Sequence, residues 1–191
     1  MVDLSKVIKQ ATELNEKSTD GYPPVEKWNP EHCGDIGLEI KSDGSWFYMG
    51  TPIGRKRIVK LFSRILRKEK DGSYVLVTPV EKISITVEDA PFIANYVQIS
   101  GENDERNLKF FTNVEDSIIA SKNFPIRVEI NPKTLEPSPY VLIRRNLEAK
   151  IARSVFYELV DIAENHRKKF GVWSGGKFFP FINSEDLNIN A

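Results

Sequence analysis

Between Glu81 and Asn131 the residue pattern is almost wholly that of short β-strands, and this constrains the fold more than any other feature of the chain. Lys82-Ile83-Ser84-Ile85-Thr86-Val87-Glu88 alternates cleanly, and Phe92 to Ser100 forms a second run. Leu108 to Thr112, a weaker stretch at Ile118-Ile119, and Ile126 to Ile130 follow at roughly ten-residue intervals. Successive side chains of a strand point to opposite faces, so such runs bury one face each. A meander of this kind predicts a strongly bent sheet or partial barrel. Tyr140 to Ile143 supplies a last strand after the proline-bearing loop Asn131–Pro139.

Helical spacing flanks this block. Leu4, Val7, Ile8, Ala11 and Leu14 predict a helix over 4–18 with Asp3 or Ser5 as cap, stopped before Asp20-Gly21-Tyr22-Pro23-Pro24. The segment Val25–Asp35 has neither period and is expected to be irregular, held down by Trp28. Leu147, Ile151, Val155, Phe156, Leu159, Val160 and Ala163 fit three- and four-residue steps, which predicts the longest helix of the chain, with His166 in its last turn and Gly171 as its cap. Trp173 to Phe181 is an aromatic tail expected to pack back on the rest.

Ahead of the meander, Gly37–Ile40 and Trp46–Met49 flank Ser42-Asp43-Gly44-Ser45, a hairpin signal, because Gly accepts positive φ and Asp bonds its own backbone. The turn Gly50-Thr51-Pro52-Ile53-Gly54 then opens onto Arg55-Lys56-Arg57. The apolar stripe Ile58, Leu61, Phe62, Ile65 and Leu66 predicts an amphipathic helix running to Lys68. Its other face carries Arg55, Lys56, Arg57, Lys60, Arg64, Arg67 and Lys68 with no acid among them. The whole chain balances 27 Lys and Arg against 27 Asp and Glu, so this cluster is a local choice made against like-charge repulsion. The balance also argues against a general nucleic-acid coat.

The fold class read from these patterns is α+β, in two small parts with a repeated hairpin-helix core: an N-terminal helix over 1–20 precedes an α+β part over 21–79 and a sheet-plus-helix part over 80–191. A weak internal echo joins Leu38–Tyr48 to Arg127–Ile143, each a hairpin leading to an arginine-bearing helix start, at Arg55-Lys56-Arg57 and at Arg144-Arg145. Chance recurrence of hairpin plus helix is the rival explanation. Cys33 is the only cysteine, which excludes an internal disulfide and a thiolate cluster. Met1–Lys6 lacks the apolar core of a signal peptide, and no apolar run is long enough to span a bilayer, so the cytoplasm is the expected compartment and no membrane partner is expected.

Function is less legible. A glycine-bearing turn before a helix start brings backbone N–H groups and arginine forks together, the ingredients of an anion cradle, although the spacing is not that of a phosphate-binding loop of the Walker type. A plain solvated helix start uses the same residues. Glu88-Asp89 could place a carboxylate opposite Arg55 or Arg57 and hold it, or simply end a strand facing water. Trp46 leads into the basic turn and could contact the apolar part of a ligand, or anchor the core as Trp28 and Trp173 could. The candidate binding set is therefore Trp46, Gly54, Arg55, Arg57, Glu88 and Asp89, with no catalytic residue, metal or cofactor assigned. His32 beside Cys33 lacks a third group to complete a metal site or an oriented nucleophile. An enzyme acting on a phosphorylated compound, with Glu88, Asp89 or His32 as acid–base group, and a protein-docking scaffold remain as alternatives to a binding module.

An ordered set of short motifs spans the chain: Tyr22-Pro23-Pro24-Val25-Glu26-Lys27-Trp28, His32-Cys33-Gly34-Asp35, Asp43-Gly44-Ser45-Trp46 and Gly50-Thr51-Pro52-Ile53-Gly54-Arg55, then Leu76–Lys82 and Val87–Phe92. On these the chain resembles the bacterial family of domain of unknown function 1285. The resemblance implies two parts with a repeated core, the second similar to pleckstrin-homology domains, a cleft between them for a nucleotide-like ligand, and a role in signalling.

Overall fold

The computed structural model describes residues 4–16 and 22–186, and the chain divides into two compact units, Met1–Pro91 and Phe92–Ala191. The expected cap Asp3, the end of the first helix at 17–18 and the first two residues of the turn at 20–24 lie outside the described residues.

The first unit runs α1 (Leu4–Glu16), a 3₁₀ turn (Val25–Lys27), β1 (His32–Ile40), β2 (Trp46–Tyr48), β3 (Thr51–Pro52), α2 (Lys56–Arg64), β4 (Leu66–Lys68), β5 (Tyr74–Val77) and β6 (Lys82–Val87). These strands form one sheet in the order β3-β2-β1-β6-β5-β4. Each half is an antiparallel meander, and the two halves meet where β1 and β6 pair in parallel. Both meanders turn on Asp-Gly-Ser. Asp43 accepts the backbone N–H of Ser45 at 2.9 Å and its hydroxyl at 2.5 Å, and Asp71 does the same for Ser73 at 2.9 and 2.6 Å. Gly44 and Gly72 sit at φ +82° and +90°, where a Cβ would be strained. The serine bonds hold both carboxyls below the usual aspartate range.

Ile36, Leu38, Ile40, Ile83 and Ile85 fill the core at alternate positions, with Phe62 of α2 and Val7 and Ala11 of α1 packed in. The basic helix ends at Arg64, a turn earlier than its stripe predicts. Ile65 and Leu66 are fully buried, but Leu66 pairs with Leu76 and the carbonyl of Ile65 accepts the N–H of Val77. Pairing with β5 thus satisfies the backbone groups that another helical turn would have used. The segment expected to be irregular contains the first four residues of β1, because His32–Asp35 is held by hydrogen bonding to β6 while its side chains face solvent. Val25 is fully buried, and Trp28, the expected anchor, is only half-buried.

The second unit runs β7 (Phe92–Ser100), a 3₁₀ turn (Asn103–Glu105), β8 (Asn107–Thr112), β9 (Ser117–Ile119), β10 (Ile126–Ile130), β11 (Pro137–Arg144), β12 (Leu147–Ile151), α3 (Arg153–Asp161), β13 (Glu164–His166), β14 (Lys169–Ser174) and β15 (Lys177–Asn183). Its larger sheet has the order β10-β11-β12-β7-β8-β9, with β12 and β7 parallel. Read from β9, that is the connectivity of the first unit: two three-strand meanders joined through their first and sixth strands. The repeat is therefore present in a different register from the one the hairpins suggest, since β1–β2 corresponds to β7–β8 and α2 has no counterpart between β9 and β10.

Two expectations change here. The long helix expected over 147–170 is a strand, a nine-residue helix and the beginning of a three-stranded sheet. Leu147, Ala149 and Ile151 are buried at two-residue steps while Glu148 and Lys150 are not, a pattern that also satisfies the four-residue spacing of Leu147 and Ile151. His166 accordingly lies on β13. The boundary expected at 79/80 falls inside the first unit, because β6 pairs with β1 and β5. The small sheet β13-β14-β15 is tied to the larger one by Ser174, whose buried hydroxyl donates to the Ala120 carbonyl at 2.7 Å and accepts the Leu108 N–H at 2.9 Å.

Candidate functional site: the cationic start of α2

The approach to α2 is a hairpin. Tyr48 pairs with Thr51 across Met49 and Gly50, which sit at φ +49° and +74° as a primed two-residue turn requires. Ile53 then donates its N–H to the Trp46 carbonyl at 2.8 Å, and the chain passes through Gly54 to Arg55, the N-cap of α2. No side chain caps this helix, and its first turn holds no acid. Lys56 and Arg57 occupy it instead. A helix start carries partial positive charge, so each cation there costs about 0.3–1 kcal/mol. Arg55, Lys56 and Arg57 are exposed, and no carboxylate of a described residue pairs with them. A Cβ on Gly54 would meet nothing within 4 Å, and its φ is not in the left-handed region, so the fold itself does not require glycine there.

Three of the other four cations of the cluster are put to other uses. Arg67 lies on β4 and is structural: its guanidinium donates to the carbonyls of Val25 and Trp28 at 2.6 and 2.7 Å and to Glu69 at 2.5 and 2.8 Å. That clamp is what holds the 3₁₀ turn, and nothing in the residue spacing announces it. Arg64 donates to the side-chain carbonyl of Asn15 on α1 and lies over the Tyr22 ring at 5.9 Å. Lys68 lies over Tyr74 at 5.3 Å.

The other candidate residues do not gather at this point. Trp46 is 2% exposed and packs against Phe62 at 6.2 Å, so its ring belongs to the core and offers a ligand no face to stack on. Glu88 ion-pairs with Lys41 at 3.0 Å and accepts the Ser42 N–H at 2.9 Å, and makes no pair with Arg55 or Arg57. Lys41 also pairs with Glu39 at 2.7 Å. Asp89 is half-exposed.

The bonds from Lys41 and Ser42 hold the Glu88 carboxyl below the usual glutamate range, and the two glutamates hold Lys41 above the usual lysine range. A carboxyl lowered in the folded state stabilises it above the unfolded value and loses that contribution as pH falls through the folded one. Glu88→Gln should therefore lower the melting temperature slightly at pH 7, with the gap to wild type closing once acid has protonated Glu88. A gap that stayed constant down to pH 3 would show the pair contributes nothing.

His32 and Ser84 stand across β1 and β6, with His32 Nε2 2.8 Å from the Ser84 hydroxyl. Sequence spacing hides this pair, since fifty-two positions separate the two residues. No carboxylate of a described residue orients the imidazole; the nearby Asp35 carboxylate accepts the N–H of Gly37 at 2.6 Å. Cys33 is exposed and its thiol faces the Glu31 carbonyl at 3.5 Å. Among the described residues no three His, Cys, Asp or Glu side chains converge as metal ligands do, and no helix is long and apolar enough to cross a membrane.

Two units of one connectivity, each a six-stranded sheet with few helices, define an α+β protein whose core is duplicated. Models of the family described as domain of unknown function (DUF1285) match its N-terminal domain at residues 23–90 and its C-terminal domain at 91–181, and the chain belongs to that family. A crystal structure of a DUF1285 family protein from Silicibacter pomeroyi DSS-3 is similar at TM-score 0.87 and 46% identity, over 95% of this chain and 97% of that one. A second, from Shewanella baltica OS155, is similar at TM-score 0.51 and 28% identity, over 66% of this chain and 91% of that one. No curated protein matches the chain.

Proposed function

We propose that the protein is a regulatory, non-enzymatic module of the cytoplasm that binds a phosphorylated, nucleotide-like small molecule at the start of α2 and acts in signal transduction. The observation that carries this reading is the trio Arg55, Lys56 and Arg57, placed in and before the first turn of a helix with no acid to offset them. A phosphate there would accept backbone N–H groups of the first turn and the forked donors of the two arginines, and would be favoured by the helix dipole. Gly54 supports the reading, because its lack of a side chain serves close approach of a ligand and not the fold. The likeness of the second unit to pleckstrin-homology domains, implied by the family, belongs to the same reading and rests on a bent sheet followed by α3.

Calorimetric titration with pyrophosphate, AMP and ATP tests it. Arg55→Ala and Arg57→Ala are each expected to weaken the phosphate probe by about ten-fold or more, since hydrogen bonds to charged groups contribute about 1.5–3 kcal/mol. Gly54→Ala should weaken it too, while changing stability by no more than about 0.5 kcal/mol. Absence of binding by wild type, or binding unchanged in both arginine variants, would remove the proposal.

A further inference from the structure

The small sheet of the second unit is apolar on both faces. Val172, Phe179 and Phe181 are buried on the inner one, with Phe181 against Phe156 of α3 at 5.2 Å. On the outer one Trp173 pairs with Phe178, while Glu164 and His166 stand at two-residue spacing along β13. The rings of His166, Trp173 and Phe178 lie 5.0–5.3 Å apart, and all three are half-exposed. Trp173 donates its indole N–H to Glu164 at 2.7 Å, which fixes the ring and leaves its apolar face free of polar demand.

The turn beside this cluster is unusual. Arg167 and Lys168 join β13 to β14 and sit at φ +49° and +63°. A two-residue turn of this geometry favours Asn-Gly, because side chains beyond Cβ are strained there. Arg-Lys is thus held at an energetic cost, and backbone strain of this kind collects at functional sites. Lys169 follows, on the aromatic face by its pairing with His166. Arg167, Lys168 and Lys169 are exposed, and no described residue forms an ion pair with them.

We propose that the outer face of β13-β14-β15 binds single-stranded nucleic acid, with bases stacked on His166, Trp173 and Phe178 and phosphates held by Arg167, Lys168 and Lys169. Aromatic rings on a sheet with cations at its edge are the chemistry that unpaired bases and their backbone require. An anionic membrane also attracts Trp and Lys, but insertion needs apolar residues at the tip. Here the tip is the charged pair, and the rings lie along the strands. The neutral overall charge excludes a general coat and is compatible with a short footprint. Three phosphates contacted give a slope of about −2 in log affinity against log salt for a single strand.

Fluorescence anisotropy of a short labelled oligonucleotide on the full chain, with phosphatidylserine vesicles in parallel, is the test. Wild type should bind the oligonucleotide with that slope and quench Trp173. Arg167→Asn with Lys168→Gly installs the unstrained turn: its melting temperature should rise while affinity falls about ten-fold and the slope shallows by about 1.4. Trp173→Phe keeps the stacking face, so it should retain binding and lose the quench. No binding at low salt, an affinity indifferent to the Asn-Gly turn, or binding to the vesicles alone would overturn the assignment. The aromatic face belongs to the second unit and α2 to the first, so Arg55→Ala, which removes none of its residues, should leave oligonucleotide binding unchanged.

Discussion

Asp116→Ala should destabilise the second unit by about 3–5 kcal/mol, the cost of leaving a buried cation without its counter-charge. Asp116 ion-pairs with Arg144, their side chains 9% and 11% exposed, and the guanidinium lies 4.8 Å over the fully buried ring of Phe92. Removing the carboxylate takes this counter-charge from a guanidinium that is almost wholly buried and cannot lose its proton. Replacing both partners with apolar groups, as Asp116→Ala with Arg144→Met, should recover most of the loss, because it is the orphaned charge and not the missing bond that is costly. Urea unfolding of the single and double variants checks this. A loss below about 1 kcal/mol in the single variant would place the pair among solvated surface bridges.

Gly171→Ala is the second. A Cβ there would lie 2.1 Å from the Phe179 carbonyl oxygen and 2.8 Å from the Pro180 Cα, both backbone atoms of β15 that cannot swing aside. The strand register shifts at this point, between Phe170 and Gly171, and brings the two backbones together. Over-packing at this distance is expected to cost about 3 kcal/mol and to separate β14 from β15. Thermal unfolding of Gly171→Ala beside Gly54→Ala makes the comparison sharp: one methyl group meets backbone, the other open space. Equal melting temperatures would contradict it. The sequence assigns Gly171 to a helix cap, whereas it lies within β14 at the point where β15 leaves no room for a Cβ.

The candidate site was legible in part. Lys and Arg without acids at 55–57 are visible in the residue string, and so is the oddity of that choice at a helix start. Their separation from Arg64 and Arg67 was not, because seven cations at helical spacing look alike until a strand takes the last of them. Arg67 turns inward only because two carbonyls of a segment forty residues earlier need a donor. Trp46 illustrates the opposite error: it precedes the basic turn in sequence, yet the pleat of β2 directs it under α2 onto Phe62. Arg144 reads in the sequence as a helix start and instead ends β11 against Asp116.

What the residue string determined by itself is local: alternation that makes strands, Asp-Gly-Ser that turns them, the three-four spacing of α1 and α2, and family membership through motifs in fixed order. These depend on neighbours within a few residues, where geometry follows from covalent structure. Which strand lies beside which was settled only by tertiary structure. The parallel pairs β1–β6 and β7–β12 join segments some fifty residues apart, and backbone hydrogen bonds carry no record of partner identity in the side chains. The repeat of the two units, the strand at Leu147–Ile151 and the aromatic face of β14 all follow from those pairings.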